Sequence, residues 1–356
     1  MQRALELADA VVGSTSPNPS VGCVLVRHGA IVGEGRTQPA GGAHAEVMAL
    51  RQAGSAARGA NAYVTLEPHA HHGRTPPCTD ALITAGVAAV FVALLDPNPD
   101  VAGRGVAELR AAGMAVDVGD GEAESVKLLE AYIKHRATGL PFVIAKFAAT
   151  LDGKIAASSG DSRWVAGDEA RRWAHAFRTR IDAIMCGVNN VLIDDPTLTA
   201  RPGGVAAERQ PLRIVADSRG RTPLAAKVLR PGGKTLIATT KASPSGWRAS
   251  IVARGAEVCV LPSTNNGRVE MLALLRLLGE RGVLSLLVEG GGVLHGSLFD
   301  AKLVDKVHAI IAPKIVGGSA YPAVAGAGVA RMADAISLRD IEVLRLGADI
   351  AVVGYV

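Results

Sequence analysis

The chain has 356 residues, 49% of them hydrophobic and 20% charged, a globular composition too long for one comfortable core. Its net charge of +5 comes without a dense Lys/Arg run, and aromatics are only 3%, which argues against a nucleic-acid binder that stacks bases. Four scattered cysteines give no disulfide framework and no apolar run reaches the ~20 residues of a membrane span, so no membrane partner and a reduced, cytoplasmic setting are expected.

In chain order, residues 1–13 read as an amphipathic helix in which Glu6 and Asp9 interrupt any apolar signal core. A buried strand is expected at 21–26 with a hairpin partner at 30–34, then a helix at 45–53, a strand at 62–66, a helix at 79–85 and a strand at 87–95. The loop Asp96-Pro97-Asn98-Pro99 follows. Lys134, His135 and Arg136 close a helix before Gly139 and Pro141, which predicts a domain boundary dividing 1–139 from 140–356. Beyond it, apolar runs at 142–147, 183–186, 212–216, 235–238, 257–261, 285–288 and 306–311 predict one sheet, with crossover helices such as 267–278. Alternating strands and helices predict two α/β domains.

The chemistry starts at His44-Ala45-Glu46 and at Pro68-His69 followed by Cys78. Such a pair of segments is the form of a zinc-dependent deaminase site: three side chains hold Zn2+ and a carboxylate moves protons. His44, His69 and Cys78 are the candidate ligands. Glu46, two residues after His44, does not share its helical face, which suits a general acid/base better than a ligand. Cys78 follows Pro76-Pro77 and opens a helix, where the dipole favours a thiolate. The deaminase pattern has a cysteine where this chain has His69. An imidazole there leaves the site less negative, and two outcomes stand open: a competent zinc site, or a deaminase domain impaired by His69 beside a working reductase.

Further motifs resemble one family over essentially the whole chain. Pro17-Asn18-Pro19-Ser20-Val21-Gly22, His44-Ala45-Glu46-Val47 and Glu67-Pro68 with His71 and Gly73-Arg74-Thr75-Pro76-Pro77-Cys78 are joined by Leu151-Asp152-Gly153-Lys154, Ser162-Arg163-Trp164, Asp194-Asp195-Pro196 with Leu198-Thr199 and Arg201, and Val288-Glu289-Gly290-Gly291. Together they resemble the bifunctional deaminase/reductase family of riboflavin biosynthesis. The resemblance implies a cytidine-deaminase-like three-layer domain and a dihydrofolate-reductase-like domain. It implies zinc deamination of 2,5-diamino-6-ribosylamino-4(3H)-pyrimidinone 5′-phosphate, then NADPH reduction of the ribosyl group to ribityl. The partner is then a phosphorylated pyrimidine, not a nucleic acid, and a homo-oligomer is expected.

By position in those motifs, Asn18, His71 and Arg74 look like deaminase substrate contacts, Arg74 suiting a phosphate through its guanidinium fork. Ser162, Arg178, Leu198, Arg201 and Glu289 look like reductase substrate contacts. Lys146 and Asp194 are the candidates to manage protons at the sugar carbon. Ala148, Trp164, Asn190, Asp194, Ser218 and the run Gly291, Gly292, Val293, Leu294, His295, Gly296, Ser297 look cofactor-facing. Asn190 stands where the family commonly has threonine. The glycine run follows an apolar strand and precedes a helix, so bare amides can approach a diphosphate, although the spacing is not that of a dinucleotide fingerprint.

Overall fold

The computed structural model describes residues 1–72, 76–99 and 101–356. They form two compact units, Met1–Leu140 and Pro141–Val356, so the division falls one residue beyond the expected position. The first unit runs α1 (Gln2–Asp9), β1 (Gly22–Arg27), β2 (Ala30–Arg36), α2 (Ala45–Ala53), β3 (Asn61–Val64), α3 (Cys78–Ala85), β4 (Ala89–Val92), α4 (Arg104–Ala111), β5 (Ala115–Val118), α5 (Glu122–Leu128) and α6 (Glu130–Thr138). Its five strands take the order β2-β1-β3-β4-β5, with β1 antiparallel to both neighbours and β3, β4 and β5 parallel.

Side-chain alternation shows how this unit is layered. Cys23 pairs with Gly35 and Leu25 with Gly33, so those four share one face, while Gly22 and Val24 share the other. A Cβ on Gly35 would lie 1.9 Å from the Ala45 carbonyl and one on Gly33 2.3 Å from that of Ala49. A Cβ on Gly22 would lie 1.9 Å from the Ala4 carbonyl. Helices α2 and α1 therefore press on opposite faces of the sheet. Bare backbone on the strands and alanine on the helices permit that closeness, which places the start of α2, with His44 and Glu46, against the sheet.

The second unit runs β6 (Phe142–Thr150), α7 (Asp168–Phe177), β7 (Ala183–Gly187), α8 (Val188–Asp194), β8 (Leu212–Ala216), β9 (Thr235–Thr239), α9 (Ser245–Ala253), β10 (Glu257–Val260), α10 (Met271–Glu280), β11 (Ser285–Val288), α11 (Gly292–Asp300), β12 (Lys306–Ala312), β13 (Arg339–Leu346) and β14 (Asp349–Tyr355). One nine-stranded sheet orders them β10-β9-β8-β7-β11-β6-β12-β14-β13. All neighbours are parallel except β14, which is antiparallel to β12 and β13. Strands β9 and β11 are buried along their whole length, as a parallel sheet covered on both faces requires. The helix expected from 267 starts at Met271 instead. Val269 is held in a bridge to Ser263 and donates its amide to Ser218 Oγ at 2.9 Å, which keeps the preceding residues extended.

On β12, His308 is 3% exposed and packs on the rings of Phe177 (4.6 Å) and Trp173 (5.3 Å). Its Nδ1 finds no hydrogen-bond partner among the described residues, and burial, then Lys306, pushes its pKa down to about 3. The unfolded chain takes up this proton near the ordinary value of ~6.5, so stability should fall as pH drops from there toward 3. All three tryptophans lie in this unit, so their fluorescence reports its unfolding. Between pH 7.5 and 5 the natural chain should lose about 2 kcal/mol more than His308→Phe in urea titrations.

Candidate functional sites

In the first unit three ligand atoms converge. One from each of His44, His69 and Cys78 lie within 4.8 Å of one another, and Cys78 Sγ is 3.5 Å from His44 Nδ1. Ligands ~2.0–2.3 Å from a tetrahedral zinc are themselves roughly 3.3–3.8 Å apart, so these residues fit the metal. The local chain explains the convergence. His44 caps α2, Cys78 is the first residue of α3, and the His69 carbonyl accepts the Cys78 amide at 3.0 Å, tying the second ligand to the helix that carries the third. The His44 and His69 ring centroids are 4.6 Å apart. His69 is thus gathered into the cluster, and nothing in the geometry favours an impaired site.

A pocket of about 330 Å3 opens over this cluster, lined by Asn18, His44, Glu46, His69 and His71 among others. The sequence singled out all five, His44, Glu46 and His69 through the zinc-site pattern and Asn18 and His71 through the resemblance. Arg74 lies outside the described residues. Burial raises the Glu46 carboxyl above its ordinary range and raises the Cys78 thiol further, Glu46 adding to the latter. A nearby dication reverses that preference for the thiol.

Glu67, which precedes Pro68 in the family motif, and Asp96, Asn98 and Tyr132 are among the other residues that line the pocket. Glu67 is buried, and its carboxylate accepts the backbone amides of Asp96 (3.2 Å), Gly103 (2.9 Å) and Val106 (3.0 Å). One side chain, two residues before His69, thereby ties the start of α4 and the Asp96 loop to the metal-ligand segment. The Tyr132 hydroxyl donates to Asp96 at 3.1 Å. Glu67 in its motif and the Asp-Pro-Asn-Pro turn signalled this wall in the sequence; Tyr132 reads as an ordinary helix residue.

In the second unit a cleft of about 760 Å3 crosses the carboxyl ends of β6, β7, β8 and β11. Parallel sheets bind ligands at such ends. It is lined by Lys146, Ala148, Ser162, Asn190, Asp194, Ser218, Glu289 and Gly291–Leu294, with Ser297. Asn190 Oδ1 accepts the Gly291 amide at 2.9 Å, so this departure from threonine holds the glycine turn in place. A Cβ on Gly292 would lie 2.4 Å from the Pro322 carbonyl. The N-terminus of α11 thus presents bare backbone to the cleft, and a dinucleotide diphosphate fits it.

Two residues of the glycine run do not face that cleft. His295 is fully buried, its Nδ1 and Nε2 lying 3.1 and 3.2 Å from the carbonyls of Ala323 and Val288. At Gly296 a Cβ would lie 1.0 Å from the Ala325 carbonyl, so this glycine serves helix packing. The helical turn carries both away from the opening. Trp164 is also elsewhere: it lines a neighbouring pocket of about 510 Å3 with Lys146, Ala148, Ser162, Arg178, Leu198 and Arg201, and the Arg171 guanidinium lies 4.3 Å from its ring centroid. Lys146, Ala148 and Ser162 line both spaces, so the two meet there.

At that junction Glu289 is clamped by Arg178, with Nε–Oε1 and Nη2–Oε2 both 2.8 Å, and by Lys146 Nζ at 3.4 Å. Burial opposes its charge, yet the guanidinium and the ammonium hold the carboxyl well below the usual carboxylate range. Ser162 Oγ donates to Asp194 at 3.1 Å.

The two units match two families: residues 1–94 the cytidine and deoxycytidylate deaminase zinc-binding region, residues 141–352 the RibD C-terminal domain. The riboflavin biosynthesis protein RibD of Escherichia coli (strain K12) is 41% identical over 98% of this chain and 96% of its own. That of Aquifex aeolicus (strain VF5) is 41% identical over 99% and 96%. Among solved structures, Acinetobacter baumannii RibD superposes with a TM-score of 0.89 at 38% identity, covering 99% of this chain and 97% of that one. The Thermotoga maritima diaminohydroxyphosphoribosylaminopyrimidine deaminase/5-amino-6-(5-phosphoribosylamino)uracil reductase does so at 0.87 and 33%, covering 100% and 97%. The chain belongs to the RibD family, the bifunctional zinc-dependent deaminases and NADPH-dependent reductases of riboflavin biosynthesis.

Proposed function

We propose that the first unit deaminates 2,5-diamino-6-ribosylamino-4(3H)-pyrimidinone 5′-phosphate and that the second reduces the ribosyl group of the product to ribityl. The observation that carries this is the pairing, on one chain, of a His-His-Cys cluster facing a buried carboxylate with a glycine-walled cleft that meets a cation-lined pocket.

In the first pocket His44, His69 and Cys78 would hold zinc, whose Lewis acidity makes water nucleophilic near neutral pH. Glu46 takes the proton from the attacking water and returns it to the departing ammonia; its burial keeps its proton affinity high enough for both transfers. Asn18 and His71 orient the pyrimidine, and Arg74 takes the phosphate.

In the second unit Asn190, Ser218 and Gly291–Leu294 would hold NADPH, which would supply the hydride. Lys146 stands where the cofactor cleft meets the substrate pocket, its Nζ 3.4 Å from Glu289, and can hand a proton to the sugar oxygen. Asp194, oriented by Ser162, is the second proton-handling group. Arg201 supplies charge for the phosphate. Arg178, its Nε, Nη1 and Nη2 already engaged by Glu289 and the Thr199 carbonyl, fixes the pocket's wall.

A cytoplasmic location fits the four free cysteines, and no helix among the described residues is long and apolar enough to cross a membrane. No nucleic-acid partner is proposed. A homo-oligomer is proposed, with the apolar Ile341 and Val343 on the exposed strand β13 available to a second copy.

Three outcomes test the assignments. Glu46→Gln should keep its zinc and lose deamination by roughly 100-fold or more, read as ammonia release, while NADPH oxidation on the deaminated substrate is unchanged. His69→Ala should lose zinc and ammonia release together, again with the reductase intact. In the second unit, Glu289→Gln leaves Arg178 and Lys146 without a buried counter-charge, and reductase activity should fall roughly 100-fold or more with deamination retained.

A further inference from the structure

The pocket beside Trp164 contains a titratable residue with no role so far: His175, on α7, which lines it together with Lys146, Arg178 and Arg201. Arg178 Nη1 lies 3.4 Å from His175 Nδ1. A guanidinium can only donate, so Nδ1 is the acceptor and the ring proton resides on Nε2. Burial, then Arg178 and Arg201, with Lys146 behind them and Glu289 as the one opposing carboxylate, push the imidazole pKa down to about 4. The ring is therefore neutral at physiological pH, with its tautomer set by its neighbour.

Arg178 is itself committed to Glu289 and to the Thr199 carbonyl, which limits its reach toward an anion. A further donor would serve an oxygen-rich ligand here. We propose that His175, held by Arg178 as its Nε2–H tautomer, is a substrate-binding residue of the reductase pocket that donates a neutral hydrogen bond to a phosphate or hydroxyl oxygen of the sugar phosphate. This rests on the reading of that pocket as the reductase substrate site. A neutral donor satisfies a ligand oxygen without placing a fourth cation among three that already repel one another. It also keeps recognition independent of pH through the range where an ordinary histidine titrates.

Gln and Asn separate the two ring nitrogens: the Gln amide reaches the place of Nε2, the Asn amide that of Nδ1. The full-length chain is assayed for NADPH oxidation with the deaminated substrate as His175→Gln, His175→Asn and His175→Leu. Loss of the donor should raise the substrate KM about tenfold or more in the Asn and Leu variants, while Gln stays within about threefold. The KM for NADPH should hold within about twofold in all three, which reports an intact fold, and the natural chain and the Gln variant should share one pH profile of substrate KM between about pH 5.5 and 8, where the substrate phosphate itself titrates. An Asn variant that behaves like the natural chain would overturn the proposal. So would a Gln variant as damaged as Leu, or an inflection near pH 6–7 that disappears in the Gln variant, since either denies a neutral Nε2 donor. Failure of the natural chain itself to reduce the substrate would instead bring down the pocket's assignment, and the proposal with it.

Discussion

Close backbone approach is the constraint on which both sites depend. In the first unit Gly33 and Gly35 let the Ala45 and Ala49 backbone settle onto the sheet, which fixes where α2 begins and so where His44 and Glu46 stand. In the second, Gly292 and Gly296 let α11 press on the segment of Pro322 and Ala325, so that its N-terminus opens into the cleft. A methyl group at any of these four glycines would meet a carbonyl oxygen within 2.4 Å. Helix starts carry the chemistry in each case, because unpaired amides and the helix dipole favour negative charge there. A zinc-bound Cys78 thiolate and a cofactor diphosphate would exploit the same property.

Much of this was legible in the sequence, for physical reasons. Buried parallel strands appear as unbroken apolar runs, so β7, β8, β9 and β11 were placed almost to the residue, as was α2 with its small-residue face. Strand β13 was passed over because it is exposed along most of its length and interleaves Arg339, Asp340, Glu342 and Arg345 with its apolar residues. Its partner β14 does carry a short apolar run, Ile350-Ala351-Val352-Val353, and so was legible in principle. Metal-type residues were legible because few side chains can do that work and their spacing is short. Contacts made across distant segments were not. Glu67 caps a helix start thirty-six residues away, and nothing local to either segment announces the bond.

Within the glycine run the motif spoke for a whole stretch where the helix allows only part. A helical turn sends Gly291–Leu294 and Ser297 toward the cleft and turns His295 and Gly296 into the packing beneath. Similarly, the resemblance reads Arg178 as a substrate contact; it lines the pocket, but its guanidinium is engaged by Glu289 and the Thr199 carbonyl. Charge in this pocket is arranged in tiers: a buried pair that neutralises itself, an ammonium shared at the junction, and an exposed Arg201 for the ligand. A buried carboxylate among cations stays ionised even where burial opposes it, and a histidine among the same cations stays neutral.

The central claim is that an imidazole at position 69 completes a working zinc site. X-ray absorption at the zinc edge of the purified, natural chain tests it most directly. About one zinc per chain is expected, with a single sulfur at ~2.3 Å and its remaining scatterers nitrogen or oxygen at ~2.0–2.1 Å. Two sulfurs, with the nearby buried Cys23 recruited in place of His69, or a chain that holds no zinc, would contradict it.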